Sequence, residues 1–234
     1  MQTVLGIFTK APIPGKVKTR THSLLSPEEA ANLHRALVLD TLHLTRGVAA
    51  RRILFVAEGM DHPFIQEVAA KESVEVIAQV GKDLGARMEQ AFHEAGANDS
   101  NAVCIIGTDS PHVPKQTFIE AYAKLQQTPV VLGPANDLGY YLIGLRGGTA
   151  LGQVPPLLFS EIAWGTSSVL PTTLQRLEAL SLGYSLLPFW YDLDTPEDLF
   201  FLQAHLPALL REDPSRCKEL GLFLQRLPSL PRLP

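Results

Sequence analysis

The sequence predicts an α/β fold: a mostly parallel central sheet with helices on both faces. Three observations carry this expectation. Short β-rich runs alternate with longer stretches whose apolar residues recur every three or four positions. Runs such as VCIIG and VVLG are apolar without alternation, as strands covered on both faces require. The first four strand candidates each lead towards a helical pattern, the rhythm of parallel crossover units.

TVLGIF is the first strand, and Ser26-Pro27-Glu28-Glu29 opens a helix over 27–46 with a serine cap, a proline at the first helical position and acids in the first turn. RILFVA, VEVIAQ and AVCIIGT follow as strands, separated by helical patterns at 62–71 and 83–95 and followed by a third at 114–126. PVVLG is the fifth strand. YYLIGL stands too close behind it for a crossover helix, so it runs antiparallel or lies in a small side sheet. A helix at 171–182, a strand at SLLPFWY and a helix at 196–210 complete the pattern. Thr195-Pro196-Glu197-Asp198 repeats the helix-opening grammar of Ser26, so its acids are structural. One domain over 1–205 is expected, with 206–234 as a C-terminal tail. Prolines at 207, 214, 228, 231 and 234 imply one short helix there and then an extended end.

A hydrophobic content of 46% with 19% charged residues supplies an ordinary globular core. The net charge of −4 argues against nucleic acid or an anionic membrane as a partner, so any anion site is local. Cys104 and Cys217 form neither a CxxC pair nor a disulfide framework. MQTVLGIFTK has no basic leader, and no apolar run reaches the length of a bilayer span. A cytoplasmic protein is expected.

Such a local site is suggested by FTKAPIPGKVKTR. Residues 1–27 contain no carboxylate, while Lys10, Lys16, Lys18 and Arg20 fall between the first strand and the first helix. Ligands of open α/β sheets bind beyond the carboxyl ends of strands, where this loop lies. A cation about 4 Å from a phosphate oxygen contributes roughly 4 kcal/mol at an effective dielectric near 20, before desolvation, so several together can hold a polyphosphate. Pro12, Pro14 and Gly15 shape the loop and lower its ordering cost. A solvated lysine loop is the commoner use of such a cluster, but the placement favours phosphate. Val17 stands where a P-loop needs Ser or Thr, and no GxGxxG opens a helix, so neither a Walker NTPase nor a Rossmann dehydrogenase is indicated.

Asp109 ends the AVCIIGTD strand before Ser110-Pro111, where a carboxylate either holds a hard divalent cation or closes its own turn. In YDLDTPEDL, Asp194 lies outside the helix-opening explanation, and Asp192, two residues earlier, points the same way in an extended segment; a second metal ligand is expected here. Asp137 sits in an Asn-Asp-Leu-Gly turn before Tyr140 and Tyr141, which either pack or face a ligand. His112 follows Pro111 as a structural histidine or a site neighbour, and Trp164 packs in the core or stacks on a base.

Together FTKAPIPGKVKTR, GKDLGARMEQAF, IIGTDSPHVP, VVLGPANDLGYYLIGL, IAWGTSSVL and YDLDTPEDL resemble the DUF2064 family of GT-A-fold, nucleotide-diphospho-sugar-transferase-like proteins, from about residue 4 to 200. More distantly the chain is similar to molybdenum-cofactor and phospholactate guanylyltransferases and to sugar-acid cytidylyltransferases. The resemblance implies a three-layer α/β/α GT-A-like fold that binds a nucleotide at its N-terminal half. It implies Mg²⁺ or Mn²⁺ on Asp109 and Asp194, and phosphate contacts from Lys10, Lys16, Lys18 and Arg20 on the loop containing Gly15. On the same resemblance Arg87 would face the nucleotide; from the residues themselves, Tyr140 is a candidate substrate contact and Asp137 a candidate acceptor-binding residue or base. Two departures stand out: Asp109 is followed by Ser110-Pro111 rather than completing a DxD triplet, and Leu138 replaces the usual glycine of the DGGYY string. The first favours nucleotidyl over glycosyl transfer. The expected activity is thus a metal-dependent transfer of a nucleotidyl or glycosyl group from an NTP or nucleotide-sugar to a small acceptor. The alternative is a non-catalytic nucleotide-binding or interaction module on the same fold.

Overall fold

The structure, a computed structural model, describes residues 1–96, 101–148 and 158–227. Among these residues, seven strands make one sheet: β1 (Thr3–Thr9), β2 (Arg51–Val56), β3 (Glu75–Ala78), β4 (Ala102–Ile106), β5 (Val130–Pro134), β6 (Tyr140–Arg146) and β7 (Tyr184–Leu186). Their spatial order is β3-β2-β1-β4-β6-β5-β7. β1 pairs in parallel with β2 and β4, β2 with β3, and β5 with β7, whereas β6 is antiparallel to both β4 and β5. YYLIGL therefore runs antiparallel within the main sheet, because only a tight turn separates it from β5. SLLPFWY forms a shorter strand than its pattern predicts. Pro188 has no N–H to continue the ladder, and the chain rejoins β5 only where Trp190 donates to the Pro134 carbonyl at 3.1 Å.

Alternate strand residues face opposite cores. On one face Leu5, Ile7, Leu54, Cys104 and Ile106 pack against α1 (Pro27–Leu44), α2 (Pro63–Glu72) and α4 (Lys115–Leu125) through Val38, Leu42, Phe64, Ile65, Phe118 and Leu125. On the other, Val4, Ile53, Phe55, Val103 and Ile105 meet Met88 and Phe92 of α3 (Leu84–Glu94) and Leu177 of α5 (Val169–Ala179). Burying one such Leu, Ile or Phe side chain is worth about 1.5–3 kcal/mol. This is the expected three-layer α/β/α arrangement.

A third apolar cluster joins Leu33 and Leu37 of α1 to Leu199, Leu202 and Leu206 of α6 (Pro196–Glu212) and to Leu220, Phe223 and Leu224 of α7 (Lys218–Arg226). α6 runs through position 205, where the sequence ends the domain, and the tail carries a further helix over 218–226. The Leu220, Phe223, Leu224 spacing gives α7 an apolar face that docks on α1. Asp40 of α1 caps it by accepting from Glu219 N at 3.0 Å and Leu220 N at 2.8 Å. Prolines 228, 231 and 234 lie outside the described residues. Among the described residues, no helix is long and apolar enough to cross a membrane.

Candidate active site

A cleft of about 510 Å³ opens at the carboxyl ends of β1 and β4. The basic loop forms one wall. It is held rather than loose: Val17 is buried, Ala11 N donates to the Glu58 carbonyl at 2.9 Å and Lys16 N to the Ile13 carbonyl at 3.0 Å. Gly15 turns the loop at a φ of 77°, where a side chain is disfavoured. Lys10, Lys16 and Arg20 line the cleft from largely exposed positions, with Lys16 3.4 Å from Glu58 and Arg20 3.7 Å from Asp194.

Lys18 differs from its neighbours. Its side chain is only 5% exposed, and Nζ donates to Asp109 Oδ1 at 2.5 Å, Asp194 Oδ1 at 2.8 Å and the Leu193 carbonyl at 2.8 Å. Burial opposes its charge, but the Asp109 and Asp194 carboxylates outweigh burial and hold the ammonium above its ordinary pKa. The same ammonium holds Asp109 below the usual carboxylate range despite burial. In the sequence Lys18 reads as a phosphate contact; in this structure it faces the carboxylates instead.

Asp109 and Asp194 are brought together by backbone as well as by Lys18. β4 delivers Asp109 to the sheet edge, and Leu193 N bonds the Asp109 carbonyl at 2.9 Å. Asp198, whose role in the Thr195 capping box the sequence predicts, also accepts the Asp194 N–H at 2.9 Å and so fixes the approach of that carboxylate. Asp192 lines the same cleft and accepts from the Ser110 hydroxyl; burial first, and then the Asp109 charge, push it up to about 7.

Asp137, Tyr140 and Arg87 lie on this cleft too. Asp137 is exposed in its turn, its Oδ1 accepting from Gly139 N at 2.7 Å, and Tyr140 lines the wall below it. Arg87 reaches the cleft from α3 while donating to the Gly81 carbonyl at 3.3 Å. Its neighbours are structural: Asp83 caps α3 through Ala86 N at 2.8 Å, and a Cβ on Gly85 would come within 2.5 Å of the Phe159 carbonyl. Trp164 packs on Phe159 and His112 on Trp190 and Tyr191; neither lines the cleft.

Sequence reasoning misses His34 and Gln79. His34 is buried under the loop with Nε2 at 3.1 Å from the Lys10 carbonyl and 3.3 Å from Thr9 Oγ1; burial, reinforced by the Lys18 charge, lowers it to about 4, so it is neutral near pH 7. The available signal is a histidine among the apolar positions of α1. Gln79 donates Nε2 to the Phe55 carbonyl at 2.9 Å and the Thr9 carbonyl at 3.3 Å, which binds the end of β3 to β1 and β2. Nothing in VEVIAQ separates it from an ordinary strand-end polar residue.

Among the described residues no group of three or more His, Cys, Asp or Glu side chains is arranged to hold a metal ion. Two carboxylates and one carbonyl do converge on the Lys18 ammonium. Mg²⁺ is commonly held by one or two carboxylates together with substrate phosphates, so this donor set fits a divalent cation once Lys18 has moved away.

The chain is 27% identical over 206 residues to a phosphoenolpyruvate guanylyltransferase of Sphaerobacter thermophilus, covering 85% of this chain and 92% of that protein. A candidate nucleotide-diphospho-sugar transferase from Desulfovibrio desulfuricans G20 superposes with a TM-score of 0.79 at 32% identity, over 96% of this chain and 98% of the other. A Mycobacterium tuberculosis H37Rv protein solved with manganese has the same fold at a TM-score of 0.52 and 15% identity, over 86% and 98% of the two chains. Residues 41–166 match the family described as "uncharacterized protein conserved in bacteria (DUF2064)", and with this fold and these relatives the chain belongs to that family.

Proposed function

We propose that the protein is a metal-dependent nucleotidyltransferase that takes a nucleoside triphosphate in the 510 Å³ cleft and transfers its nucleotidyl group to a small acceptor, releasing pyrophosphate. The observation that carries the proposal is the meeting of Lys10, Lys16, Lys18 and Arg20 with Asp109 and Asp194 on one cleft. The guanylyltransferase named among the relatives supports the same reaction class.

The acceptor oxygen bonds to the α-phosphorus, and the bond from that phosphorus to its bridging oxygen breaks as pyrophosphate leaves. Lys10, Lys16 and Arg20 orient the phosphates and offset their charge, and little covalent chemistry is asked of the protein. Asp109 and Asp194, with the Leu193 carbonyl, would hold Mg²⁺ or Mn²⁺, which when bound withdraws charge from the phosphate oxygens. Asp137, at the exposed side of the cleft, orients the acceptor or accepts a proton where the acceptor carries one. Both cysteines are buried free thiols, which suits a reducing cytoplasm.

Glycosyl transfer from a nucleotide-sugar is the second reading, favoured by the name of the 32%-identical relative. Products separate the two: pyrophosphate release supports nucleotidyl transfer, and a nucleoside diphosphate supports glycosyl transfer. A thermal-shift series of NTPs and nucleotide-sugars with and without Mg²⁺ identifies the donor first, because a ligand that binds the native state raises its melting temperature. No metal-dependent shift with any of them would overturn the proposal.

A further inference from the structure

Lys18 fills a cage of three oxygens. An ammonium has three N–H donors and no acceptor, and here each donor has one partner: Asp109 Oδ1, Asp194 Oδ1 and the Leu193 carbonyl. Carboxylate and carbonyl oxygens are the donors a hard divalent cation prefers, and ammonium and cation cannot share one cage at contact distance without strong repulsion. The backbone that carries Lys18 is pinned. Its φ is 47°, and its carbonyl accepts from Thr21 Oγ1 at 2.6 Å and Thr21 N at 2.9 Å. Any departure from the cage is therefore a swing of the flexible side chain alone. Lys10, Lys16 and Arg20 lie on the same cleft, so a polyphosphate bound beside them offers the ammonium alternative oxygens.

We propose that Lys18 is a displaceable occupant of the metal site. In the nucleotide-free protein its ammonium holds the cage closed to divalent cations; a bound triphosphate draws the ammonium onto its own oxygens, and the vacated cage accepts the cation. This rests on the reading of the cleft as a site for a nucleotide with a divalent cation. It makes nucleotide and metal binding mutually reinforcing, since coupling between two ligands is reciprocal. It also gives Lys18 two successive partners, the carboxylates and then the phosphates, rather than one.

The test is Mn²⁺ uptake, followed by electron paramagnetic resonance of the free ion, for the wild type, Lys18→Met and Lys18→Met with Asp109→Asn, each with and without GTP. Without nucleotide, Lys18→Met is expected to bind one Mn²⁺ at least about tenfold more tightly than the wild type, and adding Asp109→Asn should remove that gain. GTP should tighten Mn²⁺ binding more in the wild type than in Lys18→Met. Equal or weaker Mn²⁺ binding by Lys18→Met, while Mn²⁺ with GTP still saturates the wild type, overturns the proposal and leaves the nucleotide site standing. No uptake of Mn²⁺ or GTP by the wild type removes both. Nitrogen-15 lysine NMR of the wild type tests the same point without a substitution. The caged Lys18 resonance should shift when Mg²⁺ and GTP bind together, and a resonance unchanged at saturation overturns the proposal.

Discussion

Leu193 donates its backbone N–H to the carbonyl of Asp109 at 2.9 Å, and this hydrogen bond fastens two segments far apart in sequence. One is the loop that leaves the carboxyl end of β4, three residues past Ile106, and carries Asp109; the other is the stretch before α6, which carries Asp192 and Asp194. Because the joint is backbone to backbone, it does not depend on the side chains at positions 109 and 194. Charge chemistry can therefore be altered here without dismantling the fold.

Asp109→Asn tests that separation directly. It keeps the shape and the Leu193 hydrogen bond but removes a charged oxygen from the cleft. The proposed nucleotidyl transfer should fall by about 10²- to 10³-fold, the usual cost of losing one electrostatic partner of the transition state. Metal-dependent nucleotide binding should weaken in calorimetry, with far-UV circular dichroism unchanged. Unaltered Mg²⁺ dependence would remove Asp109 from the metal site.

Lys10→Ala combined with Lys16→Ala should weaken triphosphate binding by roughly 10- to 100-fold and nucleoside binding hardly at all, since each exposed cation contributes on the order of 1 kcal/mol at physiological salt. The loss should shrink as ionic strength rises. Titrating a triphosphate and its nucleoside in parallel measures this, and equal losses for both would exclude phosphate contact.

Leu138 holds a φ of 63° on an exposed turn, and the left-handed region costs an L-residue about 1–2 kcal/mol. Glycine relieves that strain at a cost of up to about 1 kcal/mol in chain entropy. Leu138→Gly should therefore stabilise the protein by about 0.5 kcal/mol, visible as a small rise in the urea midpoint at constant slope. A lower midpoint would mean that the leucine side chain makes contacts that outweigh its backbone strain.

Asp40 gives stability a pH dependence. Burial raises its carboxyl to about 6, although Glu219 N and Leu220 N favour the charged form. A folded-state pKa above the unfolded value means that the native state binds the extra proton, so this contribution is full below about pH 4 and is lost as pH rises through about 6. Between pH 5 and 7 the wild type should lose about 1 kcal/mol relative to Asp40→Asn, whose amide does not titrate. Urea denaturation of both proteins at the two pH values measures the difference. A gap that stays constant would show that Asp40 is charged throughout.

Local grammar explains why much of the fold is legible in the chain. Ser26 and Thr195 announce α1 and α6 because a capping box is built from neighbours in sequence. The continuous apolar runs of β4 and β5 are readable because a strand covered on both faces needs no polar alternation. The shortness of β7 has its signal in Pro188, and the prolines of the tail delimit its short helix at 218–226; what the sequence does not show is that this helix docks on α1.

The cleft is only partly legible in this way. Its charged residues are readable as a loop with four cations and no acid, and as two aspartates at the ends of extended runs. Their pairing is not. Lys18, Asp109 and Asp194 meet because β1 and β4 are neighbours in the sheet and Leu193 bonds across to Asp109, both of them contacts between segments distant in sequence. By itself the sequence determined the layers, the helix starts and the sign of charge in each segment, since all of these depend on residues within a few positions of one another. Only the tertiary structure decided that the one buried lysine of the loop faces carboxylates, because an ammonium takes whichever oxygens the folded chain brings within its reach.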